Sequence, residues 1–235
     1  RELANKYKLP LIMHLSETRT ENDESQVKYG ASPTATLAKW GVLDGRTLMA
    51  HGVWLSTDDI ELLRSHSTGI AHCPSSNMKL ASGIAPVPEM LSAGIAVGLG
   101  PDGPAGSNND FDMFEEMDLA AKLQKVAKMD PTVLPASTAF RMATIGGARA
   151  LGMEREIGSV EAGKRADLMV VSTAVPNAAP MFNVYSQLVY ASKAGDVRHV
   201  MVNGRVLVRD RELITLNKPE VLKTARQWQA KIQAW

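Results

Sequence analysis

The sequence predicts an α/β fold in which a parallel sheet is followed by a small β-rich module. Three observations lead there. Short, nearly continuous apolar runs alternate with helix-favouring segments, the pattern of parallel strands covered on both faces. Those runs carry or lead into histidines or acids. From about residue 136 the alternation gives way to shorter apolar runs broken by turn residues.

The first apolar run spans residues 9–16 and leads through His14-Leu15-Ser16 into Glu17. The second spans 47–55, the third 69–73 and the fourth 94–99. Between them, Thr57 to Leu63 reads as a capped helix start, with Asp58 and Glu61 at capping-box spacing. Pro88 to Ala93 reads as a helix closed by Gly94, and residues 111–129, rich in Met, Leu, Ala, Glu and Lys, favour a longer one. Residues 137–151 read as one helix closed by Gly152. Then come Gly158-Ser159-Val160, Ala166 to Val171, and Val197 to Val208 broken at Asn203-Gly204, which is a strong hairpin signal. The expected division is residues 1–152 for the α/β part and 153–235 for a β-rich module with a C-terminal helix.

With 235 residues, 45% of them hydrophobic, a substantial core can form. The 26 basic and 25 acidic residues are interspersed and sum to +1, so nothing calls for nucleic acid or an anionic membrane. Cys73 is the only cysteine, which excludes an intrachain disulfide and any multi-cysteine zinc site and fits a reducing, cytoplasmic setting. No stretch of eighteen apolar residues occurs. The opening Arg1-Glu2-Leu3-Ala4-Asn5 has no methionine and reads as helix interior, so the sequence is expected to be part of a longer chain.

His14, His51, His72 and Asp102 each stand near the C-terminal end of an apolar run, separated by 37, 21 and 30 residues. Such intervals suit about one βα unit each. A (β/α)₈ barrel would bring all four to its catalytic mouth. One histidine at a strand end is more often a satisfied core residue than a ligand; the repetition is what points to a site. His66, at a helix end, reads as solvent-facing, and His199 in the tail as structural.

The sequence resembles the amidohydrolase superfamily, in particular its subgroup of methylthioadenosine and S-adenosylhomocysteine deaminases and triazine chlorohydrolases. The matching stretches are Met13-His14-Leu15-Ser16-Glu17-Thr18, Ala50-His51-Gly52, Ala71-His72-Cys73-Pro74 with Ser76-Asn77-Met78-Lys79-Leu80, Gly100-Pro101-Asp102-Gly103 with Ser107-Asn108-Asn109-Asp110, and Gly158 to Leu168. The resemblance implies the C-terminal half of a metal-dependent (β/α)₈ TIM barrel plus part of a small β-sandwich module. His14, on the fifth barrel strand, and Asp102, on the eighth, would be metal ligands. Glu17 would protonate a substrate ring nitrogen. His51, on the sixth strand, would orient the attacking water, and Asp102 would also take its proton. Asn77 and Ser107 would line the substrate pocket, where Glu17 also contacts the ring; His72, on the seventh strand, would either join them or serve in packing or hydrogen bonding near the pocket. Imidazole and carboxylate ligands suit zinc, and Fe²⁺ as well.

Two departures stand out. The family's first-strand His-x-His, which supplies two metal ligands, occurs nowhere here, and Pro101 stands where a Thr or Ser is usual before the aspartate. Only four of eight barrel strands are found, so truncation is the economical reading. Half a barrel exposes two strand edges; residues 1–235 alone are expected to hold zinc weakly, to lack deaminase activity and to associate through those edges. The expected reaction of the whole is hydrolytic deamination of an adenosine derivative, S-adenosylhomocysteine or methylthioadenosine. The alternatives are another aminopurine or pyrimidine deaminase, a triazine-type chlorohydrolase, and, in a different class, a non-catalytic barrel remnant. The partner implied is a small purine nucleoside-like molecule, with no nucleic acid and no membrane; a homo-oligomer is compatible with the sequence.

Overall fold

The computed structural model describes residues 1–233. Two four-stranded sheets organise it. The first is parallel with order β1-β2-β3-β4: Leu11–Leu15, Thr47–His51, Gly69–His72 and Val97–Leu99. The second is antiparallel with order β5-β6-β7-β8: Leu168–Val171, Val197–Val202, Arg205–Arg209 and Glu212–Leu213. Among the described residues the parallel sheet does not close into a barrel. The helices are α1 (Glu2–Lys6), α2 (Arg19–Tyr29), α3 (Pro33–Lys39), α4 (Thr57–Ser65), α5 (Pro74–Lys79), α6 (Val87–Ser92), α7 (Met113–Lys128), α8 (Ala136–Arg141), α9 (Gly147–Ala150), α10 (Val184–Ser186) and α11 (Lys218–Gln233). No described helix is long and apolar enough to cross a membrane.

All four predicted apolar runs contain strands, each shorter than the run. In the first sheet the register pairs His14 with Ala50, Leu15 with His51 and His72 with Leu99. In-register parallel strands deliver their C-terminal residues to one edge, which is why His14, His51 and His72 share it. Leu15, Met49, Ile70 and Val97 from the four strands pack with Leu63, Met90 and Met142 from the helices into one buried core. Each such side chain contributes about 1.5–3 kcal/mol on burial.

Three local expectations need correction. The capping box of α4 is Ser56 with Asp59, not Asp58 with Glu61. Ser56 takes extended backbone and accepts from Asp59 N at 3.1 Å, while Asp59 Oδ2 accepts from Ser56 N at 2.9 Å. The helix expected over 137–151 is interrupted by a π turn at Met142–Gly146, with Thr144 outside helical backbone (φ −126°, ψ −105°). Its hydroxyl donates back to Phe140 O at 2.8 Å, a bond that competes with the helical ladder. The interruption lets the chain press directly on the sheet: a Cβ on Gly98 would stand 2.7 Å from Gly147 Cα, and one on Gly69 would run into the backbone of Ala150. The third correction concerns Gly158-Ser159-Val160, which form a bend rather than a strand and leave Val160 exposed.

In the second sheet Asn203 (φ +48°) and Gly204 (φ +77°) make the tight turn between β6 and β7, as their sequence predicts. Between β5 and β6 lies a helical excursion that the apolar pattern did not indicate. It docks Val189, fully buried, against Phe114, Met117 and Ala121 of α7.

Candidate active site

The parallel sheet's C-terminal edge carries the site, and local backbone shapes aim its side chains. After β1 the chain turns at Ser16 (φ +47°), whose carbonyl accepts from Val53 N and Trp54 N, both at 3.0 Å. Glu21, in the first turn of α2, then accepts from Ser16 N at 2.9 Å and Glu17 N at 2.8 Å. This carboxylate clamp holds the turn that presents Glu17. His51 ends β2 in left-handed backbone (φ +73°), and Asp102 follows β4 in the same region (φ +62°). Three non-glycine residues in this region at one edge, Ser16, His51 and Asp102, mark backbone held against its preference by its surroundings.

Ligand atoms of His14, His51 and Asp102 lie within 4.8 Å of one another. The His14 and His51 rings stack at 5.2 Å with 15° between planes. His51 Nε2 stands 3.7 Å from Glu17 Oε2 and 3.9 Å from Asp102 Oδ2. The His51 side chain is wholly buried while both carboxylates keep about a fifth of their surface in solvent (23% and 22%). His51 Nε2 has no hydrogen-bond partner in the protein. A buried imidazole nitrogen without a partner, facing two carboxylates and a second imidazole, suits a small ligand that takes nitrogen and oxygen donors.

Behind this front, α5 contributes two adjacent side chains. Ser76 Oγ donates to Asp102 Oδ2 at 2.8 Å, and Asn77 Oδ1 faces His51 Nδ1 at 2.9 Å. Burial penalises the ionised Asp102, but hydrogen bonds from Ser76, Ser107 and Gly103 and the proximity of His51 outweigh it, so the carboxyl lies below the ordinary range. Ser107 also closes the loop after β4, exchanging hydrogen bonds with Gly103 N and O at 3.1 Å. Glu116, fully buried on α7, accepts from Asn108 Nδ2 at 3.0 Å and Ser75 N at 3.3 Å. It ties the loop after β4 to α5, and burial raises its carboxyl above the ordinary value against those hydrogen bonds.

The structure therefore brings His14, Glu17, His51 and Asp102 together. His72 is fully buried at the end of β3 with neither ring nitrogen bonded. Burial, reinforced by His51, pushes its imidazole down to about 4. Burial, with the Asp102 and Glu116 carboxyls adding, pushes the Cys73 thiol up to about 12, so it is a packed thiol and no nucleophile. His66 is half-buried, its Nδ1 2.8 Å from Leu62 O, rather than solvent-facing. Sequence reasoning missed Glu21, Ser76 and Glu116. Thr18-Arg19-Thr20-Glu21 has capping-box spacing and could have flagged Glu21. Nothing in the sequence distinguishes Glu116 from its exposed neighbour Glu115.

The family profile described as Amidohydrolase family matches residues 1–207. The chain is 48% identical over 225 residues to a 5-methylthioadenosine/S-adenosylhomocysteine deaminase of Syntrophobacter fumaroxidans, covering 96% of this chain and 51% of that one. It is 50% identical over 217 residues to the protein of the same name from Desulforudis audaxviator, with 92% and 50% covered. Among solved structures, an adenosine deaminase from Xanthomonas campestris with bound zinc superposes with a TM-score of 0.96 at 39% identity, covering all of this chain and 53% of that one. An atrazine chlorohydrolase from Arthrobacter aurescens, also complexed with zinc, gives 0.87 at 27% identity, with 96% and 50% covered. The chain spans about half the length of the relatives it matches.

Proposed function

The chain belongs to the amidohydrolase family, and we propose that it supplies the C-terminal half of a metal-dependent (β/α)₈ barrel that hydrolytically deaminates an adenosine derivative such as S-adenosylhomocysteine or methylthioadenosine. The observation that carries this reading is the convergence of His14, His51 and Asp102 within 4.8 Å beside Glu17. Identity favours the deaminases, at 48–50%, over the triazine enzymes, at 27%. We divide the chain near residue 152, with the β5–β8 sheet and α11 as the small module, and place it in a reducing compartment, the cytoplasm, in keeping with a single buried Cys73.

The donors present fit zinc. His14 and Asp102 would hold it, with the remaining ligands drawn from the other half of the intact protein. Bound there, zinc would polarise water and lower its pKa toward neutrality. The chain's own residues do the rest. Water adds to the amino-bearing ring carbon, and ammonia leaves. Glu17 donates a proton to the adjacent ring nitrogen as the carbon is attacked and regains one from the new hydroxyl as it becomes the carbonyl and ammonia leaves. Asp102, held ionised by Ser76, takes the proton that the attacking water loses and passes it to the departing amine. His51, immobile in the sheet edge, directs Nε2 at the water and keeps it aligned between the two carboxylates. The remaining pocket role goes to Ser107, while His72, fully buried, packs beneath the site.

The test is substrate turnover by the intact, zinc-loaded protein. Ammonia release from S-adenosylhomocysteine or methylthioadenosine, lost on chelation and restored by zinc, is the expected result. Chloride release from a chlorotriazine, with no ammonia from any aminopurine nucleoside, would overturn the assignment in favour of the chlorohydrolase chemistry.

A further inference from the structure

We propose that Asn77 is a positioning residue that fixes a proton on His51 Nδ1 and so confines the chemistry of this ring to Nε2. An imidazole has two nitrogens, and which one carries the proton follows from what the other group at each nitrogen can accept. At His51 the two sides differ. Nδ1 faces the carbonyl oxygen of Asn77 at 2.9 Å, a buried contact to a residue 1% exposed. In this orientation the amide oxygen faces the ring and can only accept, so Nδ1–H donates to it, and Asn77 Nδ2 is left without a partner. Nε2 has no protein partner and looks toward Glu17 and Asp102.

Asn77 is itself well placed to be rigid. It lies on α5, whose first-turn Ser75 N–H is held by buried Glu116. Its own backbone N–H donates to Cys73 O at 3.0 Å, and its carbonyl accepts from Ser82 N at 2.9 Å. The neighbouring Ser76 grips Asp102 from the same short helix. One element thus orients the two groups that flank the reacting position, with the hydrogen bonds of adjacent residues. A side chain buried behind His51 is shielded from anything that enters the mouth, so the sequence expectation that Asn77 contacts substrate gives way here to a role exerted through the imidazole.

The tautomer is read without turnover and so is independent of the deaminase proposal; only the kinetic arm rests on it. The experiment is long-range ¹H–¹⁵N correlation on the intact protein labelled with ¹⁵N-histidine, with His51 assigned by its disappearance in His51→Gln. A protonated Nδ1 in the unsubstituted protein is expected, with and without added zinc; an unprotonated Nδ1 paired with Nε2–H would overturn the proposal. Asn77→Asp keeps an oxygen acceptor and should keep the Nδ1–H signature. Asn77→Leu removes it and should mix the tautomers. In turnover, Asn77→Leu should lose about 10–100-fold in kcat with KM changed by less than about threefold, and Asn77→Asp should recover part of the loss. An unchanged tautomer in a folded Asn77→Leu protein, whatever its kcat, sinks the idea. Should that variant fail to fold, the spectra of the unsubstituted protein and of Asn77→Asp decide. The expected tautomer in a protein that deaminates nothing would count against the proposed reaction and leave the role of Asn77 standing.

Discussion

Two histidine–carboxylate pairs of nearly equal length lie in the two sheets. His51 Nε2 stands 3.9 Å from Asp102 Oδ2 in the parallel sheet, and His199 Nε2 stands 3.8 Å from Asp210 Oδ1 in the antiparallel one. Their surroundings are opposite. The His51 side chain is wholly buried and its partner 22% exposed; those of His199 and Asp210 are 39% and 60% exposed. Asp210 is also paired with Arg198 and lies in the turn that follows β7. Separation alone therefore does not mark a reactive pair. What marks it is restricted access to water, which strengthens each electrostatic interaction and leaves the imidazole nitrogen without a competing partner. The same contrast runs through the strands: β2 buries four of its five residues, β5 none of its four.

The largest expected effect separates the two pairs directly. Asp102→Asn in the intact enzyme should lower turnover by about 10³-fold or more, because the amide cannot take a proton from water. Asp210→Asn should leave turnover within about twofold, as exposed pairs generally do. Ammonia release measures both, and a loss of comparable size in the two variants would dissolve the distinction. Next comes Glu17→Gln, which should cost about 10²-fold in rate with metal content unchanged. If the metal is lost instead, Glu17 is a ligand and not the acid.

A structural version of the contrast is smaller. Ile70→Ala, at a fully buried position of β3, should cost about 2–5 kcal/mol in denaturant unfolding. Met169→Ala, at a 57% exposed position of β5, should stay within about 0.5 kcal/mol. Equal costs would mean that the second sheet is covered in solution. The smallest effect is acidic. His72 is held near 4 in the folded protein against an ordinary 6.5, so between those values the unfolded chain binds a proton that the folded one refuses. Its stabilising effect is complete above pH 6.5 and fades as pH falls toward 4. His72→Gln should flatten that part of the stability-against-pH curve; an identical slope in both proteins would remove His72 as its source.

Much of the first sheet was legible because parallel strands buried on both faces need unbroken apolar runs, and those runs have no other easy use. The grouping of His14, His51, His72 and Asp102 followed from their placement along the apolar runs, while the role of Glu17 came from the resemblance to the amidohydrolases. What was not legible depends on contacts between residues far apart in sequence. Glu116 reaches Ser75 across forty-one positions, and its burial comes from how α7 rolls on the sheet. The π turn at 142–146 was legible in part, since Thr144, Ile145, Gly146 and Gly147 are poor helix formers, and the close approach of Gly147 to Gly98 of β4 accompanies the interruption. In the tail, Asn203-Gly204 announced its hairpin locally. The docking of Val189 on α7 is a tertiary contact with no periodic signature.

Gly69 stands at the start of β3, at the opposite end of the strand from His72, and its missing side chain lets the backbone of Ala150 lie directly against it. In a saturation library scored by activity, such a position would tolerate nothing, and its profile would match that of Asp102. The two differ in what is lost. A substitution at Gly69 would remove folded molecules from the population, while under the proposed mechanism one at Asp102 would leave folded molecules that do not turn over. Intolerance at a glycine of this kind records the thickness of a backbone contact, and abundance measured alongside activity separates it from chemistry.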